Sequence, residues 1–109
     1  MDTNAALDSF AALSQETRLK AFQLLVRHEP EGLPAGQLAR LLAVPHNTLS
    51  AHLGVLARAG WVLAERQGRS IIYRAHMAHM KQVIRFLVRD CCDGHPDACE
   101  PLLPRMSDI

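Results

Sequence analysis

Apolar residues recur at helical spacing along most of the chain, and the breaks in that spacing divide it into elements. Ala6, Phe10 and Leu13 stand at i, i+4 and i+7 and predict a short first helix over about Asn4–Ala12. Ser14 then offers an N-cap for a second helix striped by Leu19, Phe22, Leu25 and Val26, which runs to about Arg27 and stops before Glu29-Pro30-Glu31-Gly32. A third helix, about Ala35–Leu42, carries Leu38, Leu41 and Leu42. Only Ala43-Val44-Pro45 separates it from a fourth, His46–Ala59, striped by Leu49, Leu53 and Leu56 and closed by Gly60. The period then shortens. Trp61–Arg66, a turn at Gln67-Gly68-Arg69, and Ile71–Arg74 read as a β-hairpin. Met77, Met80, Ile84 and Leu87, with Val83 and Phe86 beside them, make the seam of a last helix over about His76–Asp90. Gly94, Pro96, Pro101 and Pro104 prevent its continuation.

The expected fold is therefore mainly α with a small β-hairpin. Two helices of about eight and fourteen residues across a three-residue turn, followed directly by a hairpin, are the parts of a winged helix-turn-helix. The seam of the last helix exceeds what one small domain would cover, so the fold is expected to be dimeric.

Composition narrows the reading further. At 109 residues, with 49% hydrophobic and 21% charged content, the chain has room for one core and not two. No apolar run reaches the roughly 18 residues of a membrane span, and no apolar signal region follows Met1-Asp2-Thr3-Asn4, so no membrane partner and a cytoplasmic location are expected. The three cysteines are then thiols rather than a disulfide framework. The net charge of +1 conceals an uneven distribution: residues 1–32 sum to −2 and residues 75–109 to −1. Residues 33–74 carry Arg40, Arg58, Arg66, Arg69 and Arg74 against Glu65 alone, for +4. A basic segment centred on the helix-turn-helix and hairpin points to double-stranded DNA as partner, with a merely solvated basic face as the plainer alternative.

The N-terminal part of the second helix of a helix-turn-helix faces base edges, which makes His46, Asn47, Thr48, Ser50 and His52 the candidate readers. Asn47 suits adenine. His46 and Asn47 would alternatively cap their helix, and His52 would alternatively pack inside. Arg66 and Arg69 at the hairpin tip are candidate phosphate contacts, or else a charged, solvated turn.

Particular residues sharpen this. Ala12-Leu13-Ser14-Gln15-Glu16-Thr17-Arg18-Leu19, Leu38-Ala39, Thr48-Leu49-Ser50-Ala51-His52-Leu53 and Leu56-Ala57-Arg58-Ala59-Gly60-Trp61-Val62 closely resemble the ArsR/SmtB family of metal-sensing winged-helix repressors, over roughly residues 7–92. The resemblance implies a homodimer that binds an imperfect palindromic operator and releases it when a metal or metalloid binds. It implies an interface of first and last helices, here Leu7, Phe10, Met80, Ile84 and Leu87, for which internal core is the alternative. One departure touches DNA: Ala51 stands where many members have arginine.

Cys91-Cys92-Asp93-Gly94-His95-Pro96-Asp97-Ala98-Cys99 holds the sensing chemistry. Seven residues of chain reach at most about 23 Å, slack enough to bring Cys99 back to the adjacent pair. Three thiolates without an obligatory fourth ligand suit trivalent arsenic or antimony, soft pyramidal centres. Family members with a Cys-Cys pair at the end of the last helix and a further cysteine beyond are arsenite sensors, so the resemblance assigns As(III) or Sb(III) to Cys91, Cys92 and Cys99. Residues 1–92 would form the DNA-binding and dimerisation domain, and 93–109 a tail completing the metalloid site. Another arsenic site of the family is absent, since Leu33-Pro34-Ala35-Gly36-Gln37 has no thiol. So is the family's zinc site on the last helix, because Leu87 and Asp90 stand where its later ligands would be; His76 and His79 are then expected as surface residues at the helix start.

Rival readings use the same thiols. With His95 they would make a Cys3His site for zinc, cadmium or lead; a Cys-Cys99 disulfide would make a redox switch; and they would otherwise be inert small hydrophobes. A cytosolic thiol metallochaperone would need the cysteines but not the basic hairpin. An enzyme is not expected, for lack of a phosphate loop, a nucleophile elbow or paired carboxylates in a cleft.

Overall fold

The computed structural model describes residues 1–90, so Cys91, Cys92, Cys99 and the tail lie outside the described residues. Asp2 opens helix α1 (Thr3–Leu13) by accepting the Ala5 N–H at 2.7 Å. Ser14 does not cap the second helix: its N–H bonds back to Ala11 and its backbone closes α1. The cap of α2 (Glu16–Arg27) is Gln15, whose backbone is extended and whose Oε1 accepts from Arg18 N–H at 2.8 Å. Helix α3 (Ala35–Leu42) and helix α4 (His46–Ala59) have the bounds expected of them. Ala43 and Gly60 end them in the left-handed conformation.

Strands β2 (Val62–Gln67) and β3 (Ser70–Ala75) pair antiparallel around a two-residue Gly68-Arg69 turn. A further strand, β1 (Leu33–Pro34), lies on the other edge of β3, pairing Leu33 with Tyr73 and Pro34 with Ile72. Gly32 makes this possible: at φ +75° it lies so close to the Tyr73 carbonyl that a side chain would collide with it. The last helix, α5, is α-helical over Met77–Arg85 and continues as a π-helical turn over Phe86–Asp90.

Buried leucines from three helices meet at the centre: Leu25, Leu38, Leu49, Leu53 and Leu56. Their spacing at helical periods is the physical origin of the fold. Helix α1 departs from its expected stripe. Its inward face is the small-residue line Ala6, Ser9 and Ala12, which lets it lie close to α4, while Leu7 is 58% and Phe10 36% exposed. On α5, Val83 is buried, Met80 packs against the core edge, Ile84 is half-buried and Leu87 is 44% exposed.

His76 and His79 stand at the start of α5, as its N-cap and third residue, but they are half-buried and engaged rather than surface residues. His76 Nδ1 lies 3.0 Å from the Gly60 carbonyl and its backbone N–H donates to the Trp61 carbonyl at 2.9 Å. His79 Nε2 is 2.9 Å from Ser9 Oγ. Since that hydroxyl donates to the Ala5 carbonyl, His79 carries its proton on Nε2. Its ring stands edge-on to Trp61, centroids 4.9 Å apart, and Gly60 leaves it room: a Cβ there would be 2.8 Å from the ring. Three elements, α1, the end of α4 and α5, are thus joined by one histidine.

Burial, and then the neighbouring His76, hold the His79 imidazole below its ordinary pKa. The unfolded chain therefore takes up that proton first. The contribution to stability is complete above about pH 6.5 and is lost as pH falls through the lowered folded value. His79→Gln keeps a donor for Ser9 and removes the titration, so its melting temperature should decline less between pH 7 and pH 5 than that of the parent. Parallel declines in thermal unfolding would refute the assignment.

Candidate nucleic-acid interface

The helix-turn-helix is α3 and α4, and the β2–β3 hairpin is its wing. Around α4, successive residues advance by about 100°, so Leu49, Leu53 and Leu56 turn inward while His46, Asn47, Thr48, Ser50 and Ala51 remain exposed. The side chains of His46, Thr48 and Ser50 make no hydrogen bond within the described residues. Asn47 Oδ1 accepts the Thr48 N–H at 2.9 Å, so the side chain steadies the helix start and keeps its amide donors for another partner.

His52 is placed differently. It is half-buried on the flank of α4 opposite His46 and Ser50, with Nδ1 3.3 Å from Arg18 Nη1. Arg18 itself donates to the carbonyls of Ala11 and Ala12, satisfying the end of α1. His52 is therefore held in a link between helices α1, α2 and α4, apart from the other candidates.

The wing supplies the remaining pieces. Between the wing and the starts of α3 and α4 lies an open groove of about 330 Å³ lined by Gly36, His46, Ser50, Arg69, Ile71 and Tyr73 among others. Candidates from two elements, His46 and Ser50 of α4 and Arg69 of the wing, thus line one groove. Arg66 folds back over the turn, its Nε 3.4 Å from the Gly68 carbonyl. Arg74 has another task. It holds Glu29 through two contacts, 3.2 and 3.1 Å, tying the end of α2 to β3, and its charge is spent there. Ile71 and Tyr73 escaped the reading of the sequence. Their signal is strand alternation: both stand on the face of β3 that looks toward α3 and α4, which only the register reveals.

Among the described residues no group of three or more His, Cys, Asp or Glu is placed to hold a metal ion, and no helix is long and apolar enough to cross a membrane. His76 and His79 are engaged with Gly60 and Ser9 instead.

Known proteins share this arrangement. A family model described as a helix-turn-helix domain matches residues 13–62, the span from α2 through α4. The HTH-type transcriptional regulator NmtR of Mycobacterium tuberculosis is 31% identical over 108 residues, which cover 87% of this chain and 90% of that protein. An ArsR-like transcriptional regulator from Rhodococcus sp. RHA1 superposes with a TM-score of 0.70 at 34% identity, over 77% of this chain and 76% of that one. A homodimeric winged helix-turn-helix DNA-binding domain from Mycobacterium bovis shares the fold, with a TM-score of 0.63 at 24% identity over 74% of this chain and 78% of that one. The wing, the recognition helix and these relatives together place the chain in the ArsR family of winged helix-turn-helix transcriptional regulators, which bind DNA.

Proposed function

We propose that this regulator is a homodimeric repressor that occupies a twofold-symmetric operator and leaves it when trivalent arsenic or antimony is bound by Cys91, Cys92 and Cys99. The observation that carries the DNA half is the groove shared by His46, Ser50 and Arg69. Asn47 and Thr48 read bases beside it, and Arg66 and Arg69 contact phosphates. His52 acts by fixing the helix through Arg18. Leu7, Phe10, Ile84 and Leu87, apolar and at least partly exposed on α1 and at the end of α5, form the subunit interface with Met80 at its edge. Two recognition helices so related would enter successive major grooves about 34 Å apart. Residues 1–92 act as the DNA-binding and dimerisation unit and 93–109 complete the metalloid site, in the cytoplasm where the operator is.

A mobility-shift assay on the region upstream of the protein's own operon tests this. A sequence-selective shift at physiological salt, reversed by arsenite, is expected; no selective shift would leave the thiol metallochaperone as the better reading. By linkage, arsenite should bind the free dimer more tightly than the operator complex by the same factor.

Arg69→Ala should weaken binding to all sequences alike and reduce the slope of log affinity against log salt by about one, because a phosphate contact carries no base information. Asn47→Ala or Ser50→Ala should instead relax preference at particular base pairs, by about 1–3 kcal/mol for a bidentate contact. Fluorescence anisotropy over a salt series separates the two patterns, and an unchanged slope removes Arg69 from the interface.

A further inference from the structure

One cation on the recognition helix has no partner within the fold. Arg58 is exposed and makes no hydrogen bond or ion pair among the described residues, although Asp8 lines the same cleft beside it. A basic residue in the last turn of a helix ordinarily serves the terminal carbonyls. Here those of Leu56 and Ala57 are already taken by the backbone N–H groups of Trp61 and Gly60. The guanidinium lies the other way. Because helical side chains tilt toward the helix start, Arg58 covers the turn before its own. Gly54 leaves it room there: a Cβ at that position would stand 3.3 Å from Arg58 Nη1.

The side of α4 on which it lies also carries a base-reading candidate. Eleven steps of about 100° separate Asn47 from Arg58, which returns them to within about 20° of one side of the helix. Ala51, between them, is exposed and too short to obstruct. The level of Gly54 is seven residues, about 10 Å of helix, behind that of Asn47. The major groove is about 8.5 Å deep, so a group that far behind residues at the base edges stands level with the phosphates. We propose that Arg58 is a further DNA contact, its guanidinium laid forward over Gly54 onto a phosphate at the rim of the groove. The contact rests on the reading above that the start of α4 enters the groove, and adds to it one backbone anchor per protomer.

The test uses the full-length protein and a fluorescent duplex from the region upstream of its own operon, beside an unrelated duplex of equal length. Between about 50 and 200 mM salt, one phosphate contact changes affinity roughly fourfold. Arg58→Ala, and Arg58→Gln with its stem retained, should therefore lose roughly fourfold less affinity than the parent over that range for each protomer in contact, on both duplexes. Arg58→Lys should keep the parent's salt dependence, since lysine also holds a phosphate as a point charge. So should Lys81→Ala, which removes the same charge from α5. Neutral methylphosphonate links, placed one at a time, should weaken the parent at one position in each half-site to which Arg58→Ala is indifferent. Parental salt dependence in both Arg58→Ala and Arg58→Gln, an equal change in Lys81→Ala, or identical responses of parent and variant to every methylphosphonate would overturn the proposal. Selective binding by the parent would leave the placement of α4 standing in each of those cases. A parent that never distinguishes the two duplexes would overturn that placement and this contact with it.

Discussion

Trp61→Ala should lower folding stability by about 3–5 kcal/mol, among the largest effects of any single substitution in this chain. Trp61 is 3% exposed, with its ring centroid 5.1 Å from that of Phe22 and 4.9 Å from that of His79. Its Nε1–H donates to the Ser9 carbonyl at 2.7 Å. It follows Gly60, where the recognition helix ends, and its own carbonyl accepts from His76 at the start of α5. Truncation would empty the space between α1, α2 and α5, which those elements cannot close without giving up the His79–Ser9 bond. At about 4 °C per kcal/mol for a domain of this size, the melting temperature should drop by roughly 12–20 °C. Trp61→Phe retains most of the aromatic contact and loses the donor, so about 1–2 kcal/mol is expected. Thermal unfolding in which the two variants behave alike would show that the ring contacts matter little.

Trp61 also marks where the sequence could be read and where it could not. Helices α3 and α4 were legible to the residue because Leu38, Leu49, Leu53 and Leu56 repeat at the helical period and the break at Ala43-Val44-Pro45 and Gly60 punctuate them. Strand β1 was not, since two residues have no period and its partner Tyr73 is forty positions away. On α1 the apolar residues serve two faces, so a single stripe through Ala6, Phe10 and Leu13 mixed the inward side with the exposed one. The histidines show the same limit. His79 with Ser9, and His52 with Arg18, are joined across 70 and 34 residues, and nothing local distinguishes such a histidine from a solvated one. The groove beside the wing was partly legible: His46, Ser50 and Arg69, which line it, were named from the motif alone, whereas Ile71 and Tyr73 needed the register.

The second large effect concerns the thiols and the selectivity that their number sets. Under the proposed assignment, inorganic arsenite can use all three of Cys91, Cys92 and Cys99, whereas a methylated arsenical has one position blocked by carbon and needs two. Cys91→Ser or Cys92→Ser should impair the response to both, since a serine hydroxyl stays protonated and hard where a soft thiolate is required. Cys99→Ser should reduce the response to arsenite far more than the response to methylarsenite. His95→Ala is the internal control: it leaves arsenite induction intact and would abolish a zinc response if the site were Cys3His. Because As(OH)3 condenses with three thiols to release three waters and no net proton, apparent affinity for arsenite should be nearly flat with pH below the thiol range near about 8.5 and decline above it. A divalent metal, which displaces thiol protons, would instead gain affinity as pH rises. A transcriptional reporter carries all of these comparisons at once. Normal arsenite induction in Cys99→Ser, or induction by zinc or by an oxidant in place of arsenite, would replace the metalloid assignment while leaving the proposed DNA-binding face of α4 and the wing untouched.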